Sequence, residues 1–288
     1  MNHSLGDDEP GTFTRDRLTF LCYGMAVVFG FAVAAIGPAM PLLRDDLGIS
    51  RTVGGLHFSA VAFGSVTTGL VIGRIVGAWG RRRVFWSGGG GVVAGSVLIG
   101  AGWHPAVTML GALLIGMSGS AMLVVAQAVL SDHHSLHRPV ALTEAATSMS
   151  AGTVLPALMI GALVAVGAGW RNAFLAPVVI WVVLALLLRA ETFPSAPAIE
   201  SRKHRRVLPV TYWWFWAAFI PAVGAEWSVG AWGADYLVDV AGTSEGSASF
   251  LMSAFFGAMV LGRLIGSKLA GVVSPFMLLL GASAVGLG

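Results

Sequence analysis

Long stretches without a charged side chain are the feature that most constrains the fold of this chain. Leu18–Leu43 is one uncharged run of 26 residues, and between Val84 and Ser131 the only acidic or basic residue is His104. A helix of about 20 apolar residues crosses the hydrocarbon of a bilayer, so the first run predicts one transmembrane helix and the second predicts two. The break between these two is expected at residues 102–105, because proline cannot continue the hydrogen bonding of a helix.

The composition indicates the same environment. Only 11% of the residues are charged and 56% are hydrophobic, with a mean hydropathy of +0.80, whereas a soluble domain carries about 25% charged residues. So few charges cannot cover a surface in contact with water, and we expect an all-α membrane protein whose main solvent and partner is the lipid bilayer. The formal net charge is +3, but the charges lie between apolar spans, which argues against a nucleic-acid partner.

The order of apolar and polar segments predicts two unequal halves. The expected organisation is a cytoplasmic N-terminal tail at residues 1–17, a six-helix half at residues 18–190, a cytoplasmic linker at residues 191–208 and an incomplete second half at residues 209–288. The second half holds two full helices and part of a third, because residues 275–288 are too few to span a bilayer at about 1.5 Å per residue. We therefore expect a truncated helical bundle.

Basic residues predict the orientation of the bundle. When the N-terminus is placed in the cytoplasm, 14 of the 17 Lys and Arg residues fall on the cytoplasmic side, and only Arg44, Arg51 and Arg171 fall outside. Such an excess is the positive-inside pattern of multi-pass proteins. We expect a protein of the plasma (inner) membrane with a cytoplasmic N-terminus.

One short pattern occurs in both predicted halves. The matching positions, 189 residues apart, are Gly73, Arg74 and Gly77 in the first half and Gly262, Arg263 and Gly266 in the second. A helix-end pattern repeated at this distance is typical of two related halves of one transporter bundle. Arg74 and Arg263 fall at cytoplasmic helix ends, where they either reach the lipid headgroups or hold the adjoining loops.

The loop between the second and third predicted helices resembles the signature loop of the major facilitator superfamily of secondary transporters. Gly73, Gly80, Arg81 and Arg82 match that pattern, and Gly77 stands where the family usually has an aspartate. The resemblance covers nearly the whole chain. It implies two six-helix domains, a central solute site and rocking between inward-open and outward-open states.

The missing carboxylate at Gly77 leaves the basic residues of this loop without their usual partner. Glu144, at the start of the fifth predicted helix, and Asp132, at the end of the fourth, are candidates to pair with Arg81 or Arg82 when a cytoplasmic gate closes. The alternative for Glu144 is a purely structural one, since a helix N-terminus favours an acidic residue through its dipole.

Glu226 is the strongest candidate for a residue that binds protons or substrate. It lies well inside the seventh predicted helix, where an ionised and unpaired carboxylate is costly and where an acid can therefore load and release a proton. Pro221 and Gly224 can loosen the helix just before it, and Trp227 and Trp232 can line a pocket beside it. The alternative is an acid near the outer interface with a structural partner.

Polar groups in other apolar helices are weaker candidates. Gln127 in the fourth predicted helix and Tyr23 in the first can contact a substrate, although hydrogen bonding between helices is the default role of such groups. The aromatic residues at 212–216 fall at the cytoplasmic end of the seventh helix, where a belt of Trp and Tyr anchors a helix at the headgroups.

Three histidines follow Asp132 in the loop that ends at His137, but no second ligand group lies nearby in sequence, so we predict a solvated loop and not a metal site.

The leading functional hypothesis is a secondary active transporter of a small organic solute, coupled to protons and working by alternating access without a cofactor. The sequence contains no nucleotide-binding P-loop pattern, which argues against an ATP-driven pump. The alternatives are a non-transporting scaffold or receptor with a transporter-like body and a metal-dependent membrane enzyme that uses the histidines.

Overall fold

The computed structural model describes residues 13–194 and 209–269, together with residues 273, 277 and 281. Within this part of the chain the secondary structure is helical and contains no strand, which confirms the predicted all-α class. The helices are α1 Arg17–Leu47, α2 Arg51–Trp79, α3 Arg81–Ala101, α4 Pro105–His133, α5 Arg138–Ala165, α6 Ala176–Leu188, α7 Val210–Asp239 and α8 Glu245–Leu269. Two 3-10 turns, Ser135–His137 and Trp170–Leu175, precede α5 and α6.

Some predicted segments lie wholly or partly outside the described residues. These are residues 1–12 of the predicted tail, residues 195–208 of the predicted linker and most of the partial helix predicted after Pro275. The side chain of Arg263 is outside the described part as well.

Specific residues fix the ends of the helices. The Asp16 carboxylate accepts a hydrogen bond of 2.9 Å from the backbone N–H of Thr19 and so caps the start of α1. Gly48, with φ of 60°, ends α1 in the left-handed conformation that glycine adopts most easily. Gly80, with φ of 80°, is the one residue between α2 and α3. Pro105 is the first residue of α4, so the predicted break between the third and fourth helices is confirmed.

Seven helical stretches among the described residues are long and apolar enough to cross a membrane. The helix α7 is not one of them, although it has 30 residues, because its tryptophans and Glu226 lower its mean hydropathy. Consecutive helices alternate in direction, so the bundle has two ends. We name them the Asp16 face, where α1 begins, and the Gly48 face, where α1 ends.

The helix α1 lies at the centre of the bundle. It is buried along most of its length and contacts α4, α5, α6, α7 and α8. The other extensive packing of the first six helices is between α3 and α4 and between α2 and α4. The helices α7 and α8 pack on the others chiefly through the pairs α5–α8 and α1–α7. The interface between the two groups of helices is therefore bordered by α1 and α5 on one side and by α7 and α8 on the other.

The two halves of α7 differ in exposure. Trp213, Trp214 and Phe215 in its first turns are 60%, 72% and 78% exposed. Ala231, Ala234 and Asp235 in its second half are buried. Contact between α7 and the first six helices is thus concentrated toward the Gly48 face.

Candidate functional site

A cavity of about 190 Å³ lies between the two groups of helices, with walls from α1, α2, α5, α7 and α8. We call it the central cavity. Its lining is mainly apolar, with Phe58 and Trp227 among the aromatic side chains and Ser150, Thr153 and Glu226 as the hydroxyl and acidic groups. An apolar wall that carries a few polar groups is the ordinary character of a small-molecule site.

Glu226 is placed in this cavity by its position in α7. It is the 17th residue of the 30-residue helix and therefore lies near its middle, and it is half-buried. Trp227 follows it in the lining. The structure thus brings two of the residues singled out from the sequence to the same small cavity, which Ser150 and Thr153 of α5 also line.

The other predicted solute-site residues lie elsewhere. Trp232 packs on Phe58, with ring centroids 5.6 Å apart, and lies outside the cavity lining. The Tyr23 hydroxyl donates a hydrogen bond of 3.0 Å to the Glu144 carboxylate. Gln127 is exposed and does not line the cavity. In this conformation, then, these three side chains are not grouped with Glu226.

An ion-pair network at the Gly48 face joins the two groups of helices. Arg44, at the end of α1, pairs with the nearly buried Asp235 of α7 and lies 3.9 Å from Asp239. The Arg51 guanidinium at the start of α2 lies 2.5 Å from the Asp239 carboxylate. Neither Arg44 nor Asp235 was predicted to be a site residue. The signal in the sequence that could have found them is that both fall in the last turns of helices that run toward the same face.

The backbones of the two groups also approach closely near this face. A Cβ atom added at Gly37 of α1 would collide with the carbonyl oxygen of Gly230 in α7, so the contact requires glycine. The hydroxyl of Ser249 in α8 donates a hydrogen bond of 2.8 Å to the carbonyl oxygen of Pro38. Together with the ion pairs, these contacts close the bundle toward the Gly48 face.

The predicted signature loop lies at the Asp16 face. The Arg81 guanidinium forms an ion pair of 2.7 Å with Asp132, which was one of the two partners considered for it. Arg82 donates instead to the carbonyl oxygen of Arg189. The loop is thereby tied to the end of α4 and to the end of α6.

Glu144 has a different partner from the one considered for it. Its carboxylate accepts two hydrogen bonds from Arg15, at 2.9 Å and 2.5 Å, in addition to the bond from Tyr23. It therefore does not pair with Arg81 or Arg82 in this structure. Glu144 connects the segment before α1 to α5, because a bidentate guanidinium–carboxylate pair fixes both orientation and distance.

Four other residues of the repeated pattern, Gly73, Arg74, Gly77 and Gly262, are exposed and do not line the central cavity. Gly73, Gly77 and Gly262 have open space where a Cβ atom would lie. Arg74 is exposed. Any role of these residues in gating stays a prediction.

Asp16, His133 and His134 form a polar cluster at the Asp16 face. The Nε2 atom of His133 lies 2.6 Å from Oδ2 of Asp16, and Nε2 of His134 lies 2.7 Å from the Thr19 hydroxyl. Burial raises the pKa of Asp16, but the hydrogen bonds from Thr19 and His133 outweigh it and leave that pKa below its ordinary value. Burial, with a smaller contribution from His133, lowers the pKa of His134 and favours its neutral imidazole.

Comparison with known proteins establishes the family. The family model described as Major Facilitator Superfamily matches residues 22–288. The chain therefore belongs to this superfamily, and the resemblance predicted from its signature loop is confirmed. Members of the family are transporters and not enzymes, so the metal-dependent enzyme considered from the sequence is set aside.

A curated relative with significant similarity is an uncharacterised MFS-type transporter of Yersinia pestis. It is 27% identical over 273 residues, which cover 89% of this chain and 67% of the relative. The likeness extends over both groups of helices, since it leaves only about a tenth of the chain unmatched.

Solved structures share the fold. A crystal structure of a D-xylose–proton symporter has a TM-score of 0.69 at 12% identity, covering 88% of this chain and 69% of that one. An inward-facing, unoccupied structure of a bacterial homologue of the human lysosomal transporter Spinster has a TM-score of 0.69 at 15% identity, covering 91% and 64%. These identities show the fold alone, and the chain spans about two thirds of the length of these proteins.

Proposed function

We propose that this protein is a secondary active transporter that moves a small organic solute across the plasma (inner) membrane by alternating access, coupled to protons. The observation that carries the proposal is the central cavity, which lies between the two groups of helices and includes the carboxylate of Glu226 in its lining. Its volume of about 190 Å³ is below the range of about 300–1,000 Å³ typical of pockets for drug-sized ligands. A small solute fits that size.

The proposed role of Glu226 is to exchange a proton. A carboxylate in the middle of a membrane helix is costly when ionised, so its protonation state is linked to the polarity of the cavity beside it. A cavity that opens alternately to the two sides exposes the same acid to two different proton concentrations. Ser150 and Thr153 offer hydroxyl groups for the solute on the opposite wall.

Alternating access requires that the contacts at the Gly48 face separate. The Arg44–Asp235 pair and the approach of Gly37 to Gly230 hold this face closed. We assign the Asp16 face to the cytoplasm because most Lys and Arg residues fall on that side. The conformation is then closed toward the outside. The D-xylose–proton symporter shares the fold and is consistent with this scheme.

Transport is tested by reconstituting the full chain in proteoliposomes and imposing a pH gradient. The probes are radiolabelled D-xylose, a hexose, a neutral amino acid and a dicarboxylate, each measured with and without a protonophore. We expect gradient-driven accumulation of at least one probe by the wild type. Glu226→Gln should reduce that accumulation to the level of protein-free vesicles, because glutamine cannot bind and release a proton. Exchange of internal for external probe should persist in this variant.

Glu191→Gln is the matched control, since Glu191 lies at the Asp16 face in an ion pair with Arg17 and outside the central cavity. It should accumulate the probe as the wild type does. Accumulation by Glu226→Gln equal to the wild type would refute the coupling role of Glu226. Absence of transport for every probe, in vesicles that contain folded protein, would favour the alternative of a non-transporting scaffold or receptor.

A further inference from the structure

Three potential metal ligands come together at the Asp16 face from two distant parts of the sequence. Asp16 precedes α1, His133 is the last residue of α4, and His134 follows it. The candidate ligand atoms of these residues all lie within 4.8 Å of one another. The histidine loop on its own offers no second ligand group nearby in sequence, and the fold supplies that group from 117 positions away.

We propose that Asp16, His133 and His134 form a binding site for one divalent transition-metal ion, with Zn²⁺ as the best match. Two imidazole nitrogens and one carboxylate oxygen are a ligand set that zinc accepts. Three protein ligands leave a fourth position for water, as in open zinc sites. Such a site is separate from the central cavity and does not depend on the proposed transport cycle.

The spacing of the three groups suits a tetrahedral ion. With metal–ligand distances of about 2.0–2.2 Å, neighbouring ligand atoms in a tetrahedral site lie about 3.4 Å apart. His133 Nε2 and Asp16 Oδ2 are 2.6 Å apart as hydrogen-bond partners, and all three ligand atoms lie within 4.8 Å of one another. Binding an ion therefore requires the closest pair to separate by about 1 Å and the widest pair to approach by up to about 1.4 Å. Asp16 and His133 are exposed and His134 is half-buried, so an ion can reach them from water.

Thr19 orients the ligands before any ion binds. Its hydroxyl donates to Oδ1 of Asp16 at 2.6 Å, and because that hydroxyl has a single proton, it accepts from Nε2 of His134 at 2.7 Å. The carboxylate has no proton to give, so Nε2–H of His133 donates to it. To bind an ion, each Nε2 atom must lose its proton. A neutral imidazole can do so by changing tautomer, with its one proton on Nδ1 and a free lone pair on Nε2.

The positive side chain that directly precedes Asp16 does not block the site. Arg15 directly precedes Asp16, but its guanidinium is engaged in two hydrogen bonds to the Glu144 carboxylate. The charge of Arg15 is therefore balanced within that pair. The carboxylate of Asp16 is left as the anionic ligand for a cation.

The experiment measures Zn²⁺ binding to the full chain in detergent micelles, purified without a histidine tag and stripped with a chelator. Competition with a chromophoric zinc indicator should give one ion per chain. Asp16→Asn, His133→Gln and His134→Gln should each weaken Zn²⁺ binding by at least about tenfold. Asparagine at position 16 keeps the helix cap, so this variant tests the ligand without removing the capping group.

His137→Gln is the matched control, because His137 belongs to the same loop but is not one of the three ligands. It should bind Zn²⁺ as the wild type does. Addition of Zn²⁺ should also raise the thermal unfolding temperature of the wild type and of His137→Gln, but not that of Asp16→Asn. The proposal is overturned if the wild type binds no stoichiometric ion, or if the three ligand variants bind as tightly as His137→Gln.

Discussion

Among the described residues, the buried polar side chains include a single carboxylate, that of Asp235. It is 4% exposed and is paired with Arg44, whose side chain is 19% exposed. A buried ion pair contributes little net stability, but removal of one partner leaves an uncompensated charge. Asp235→Ala should therefore lower the free energy of unfolding by about 3–5 kcal/mol, measured by denaturant titration in mild detergent.

Asp239→Ala is the control that tests whether burial of the carboxylate explains this loss of stability. Asp239 is in the same helix and network, but its side chain is 31% exposed and its partner Arg51 is 62% exposed. An exposed pair of this kind contributes about 1 kcal/mol or less. If both variants lost the same stability, burial would not be the reason for the importance of Asp235.

Charged residues show which part of the site could be predicted from the sequence and which part could not. The position of Glu226 inside a helix could be predicted, because an acid in the middle of an apolar stretch is conspicuous on its own. Its role in binding protons stays a prediction. The partner of Arg44 was not, since Asp235 lies 191 positions away and the two side chains meet only after α1 and α7 have packed. The pairing of Glu144 with Arg15 was missed for a related reason. An ion pair depends on the approach of two helices, which a local pattern does not contain.

At the scale of helices and turns, the one-residue connection between α2 and α3 depends on Gly80. Its φ of 80° and ψ of 155° lie in a region that is essentially restricted to glycine. Gly80→Ala should destabilise the protein by about 1–3 kcal/mol, the usual cost of such strain. The measurement is the midpoint of thermal unfolding in detergent, compared with the wild type.

Gly77→Ala is the internal control for the same loop. Gly77 lies inside α2, and open space surrounds the position of an added Cβ atom. Alanine is favoured over glycine in a helix by about 1 kcal/mol, so this variant should be as stable as the wild type or slightly more stable. Equal destabilisation by both substitutions would contradict the conformational explanation and point to a shared role in packing.

The ends of the helices could be predicted best from the sequence, and the packing of the helices against one another could be predicted least. The break before Pro105 follows from the chemistry of proline alone. The 3-10 turn at Trp170–Leu175 was not predicted, because the residues after Arg171 carry no charge and run into α6, so they were expected to form a single helix. The helix α7 was predicted in spite of its low mean hydropathy, since its aromatic side chains are apolar enough for an interface between lipid and water.

At the scale of the whole molecule, the two groups of helices are joined near the Gly48 face. The end of α5 meets the start of α8 there, and a Cβ atom added at Gly246 would lie 3.3 Å from the Cβ atom of Val164. The two Cβ atoms of a disulfide lie about 3.5–4.5 Å apart, with a mean of about 3.8 Å, so the separation at this pair of positions is close to that range. The native Cys22 is buried, so an introduced cysteine pair has little competition from it.

Val164→Cys combined with Gly246→Cys should therefore form a disulfide between the two groups of helices upon mild oxidation. If transport requires these groups to separate at the Gly48 face, oxidation should abolish uptake in proteoliposomes and reduction should restore it. Gly100→Cys with Phe174→Cys is the control, because the Cβ atoms at these positions are 3.1 Å apart within the first group of helices and the nearest backbone atom, the carbonyl oxygen of Arg171, is 3.2 Å from the Cβ atom at position 100. Oxidation of the control should leave uptake intact, since both positions belong to one group of helices. Full uptake by the oxidised α5–α8 pair would show that the solute does not cross through an opening at this face.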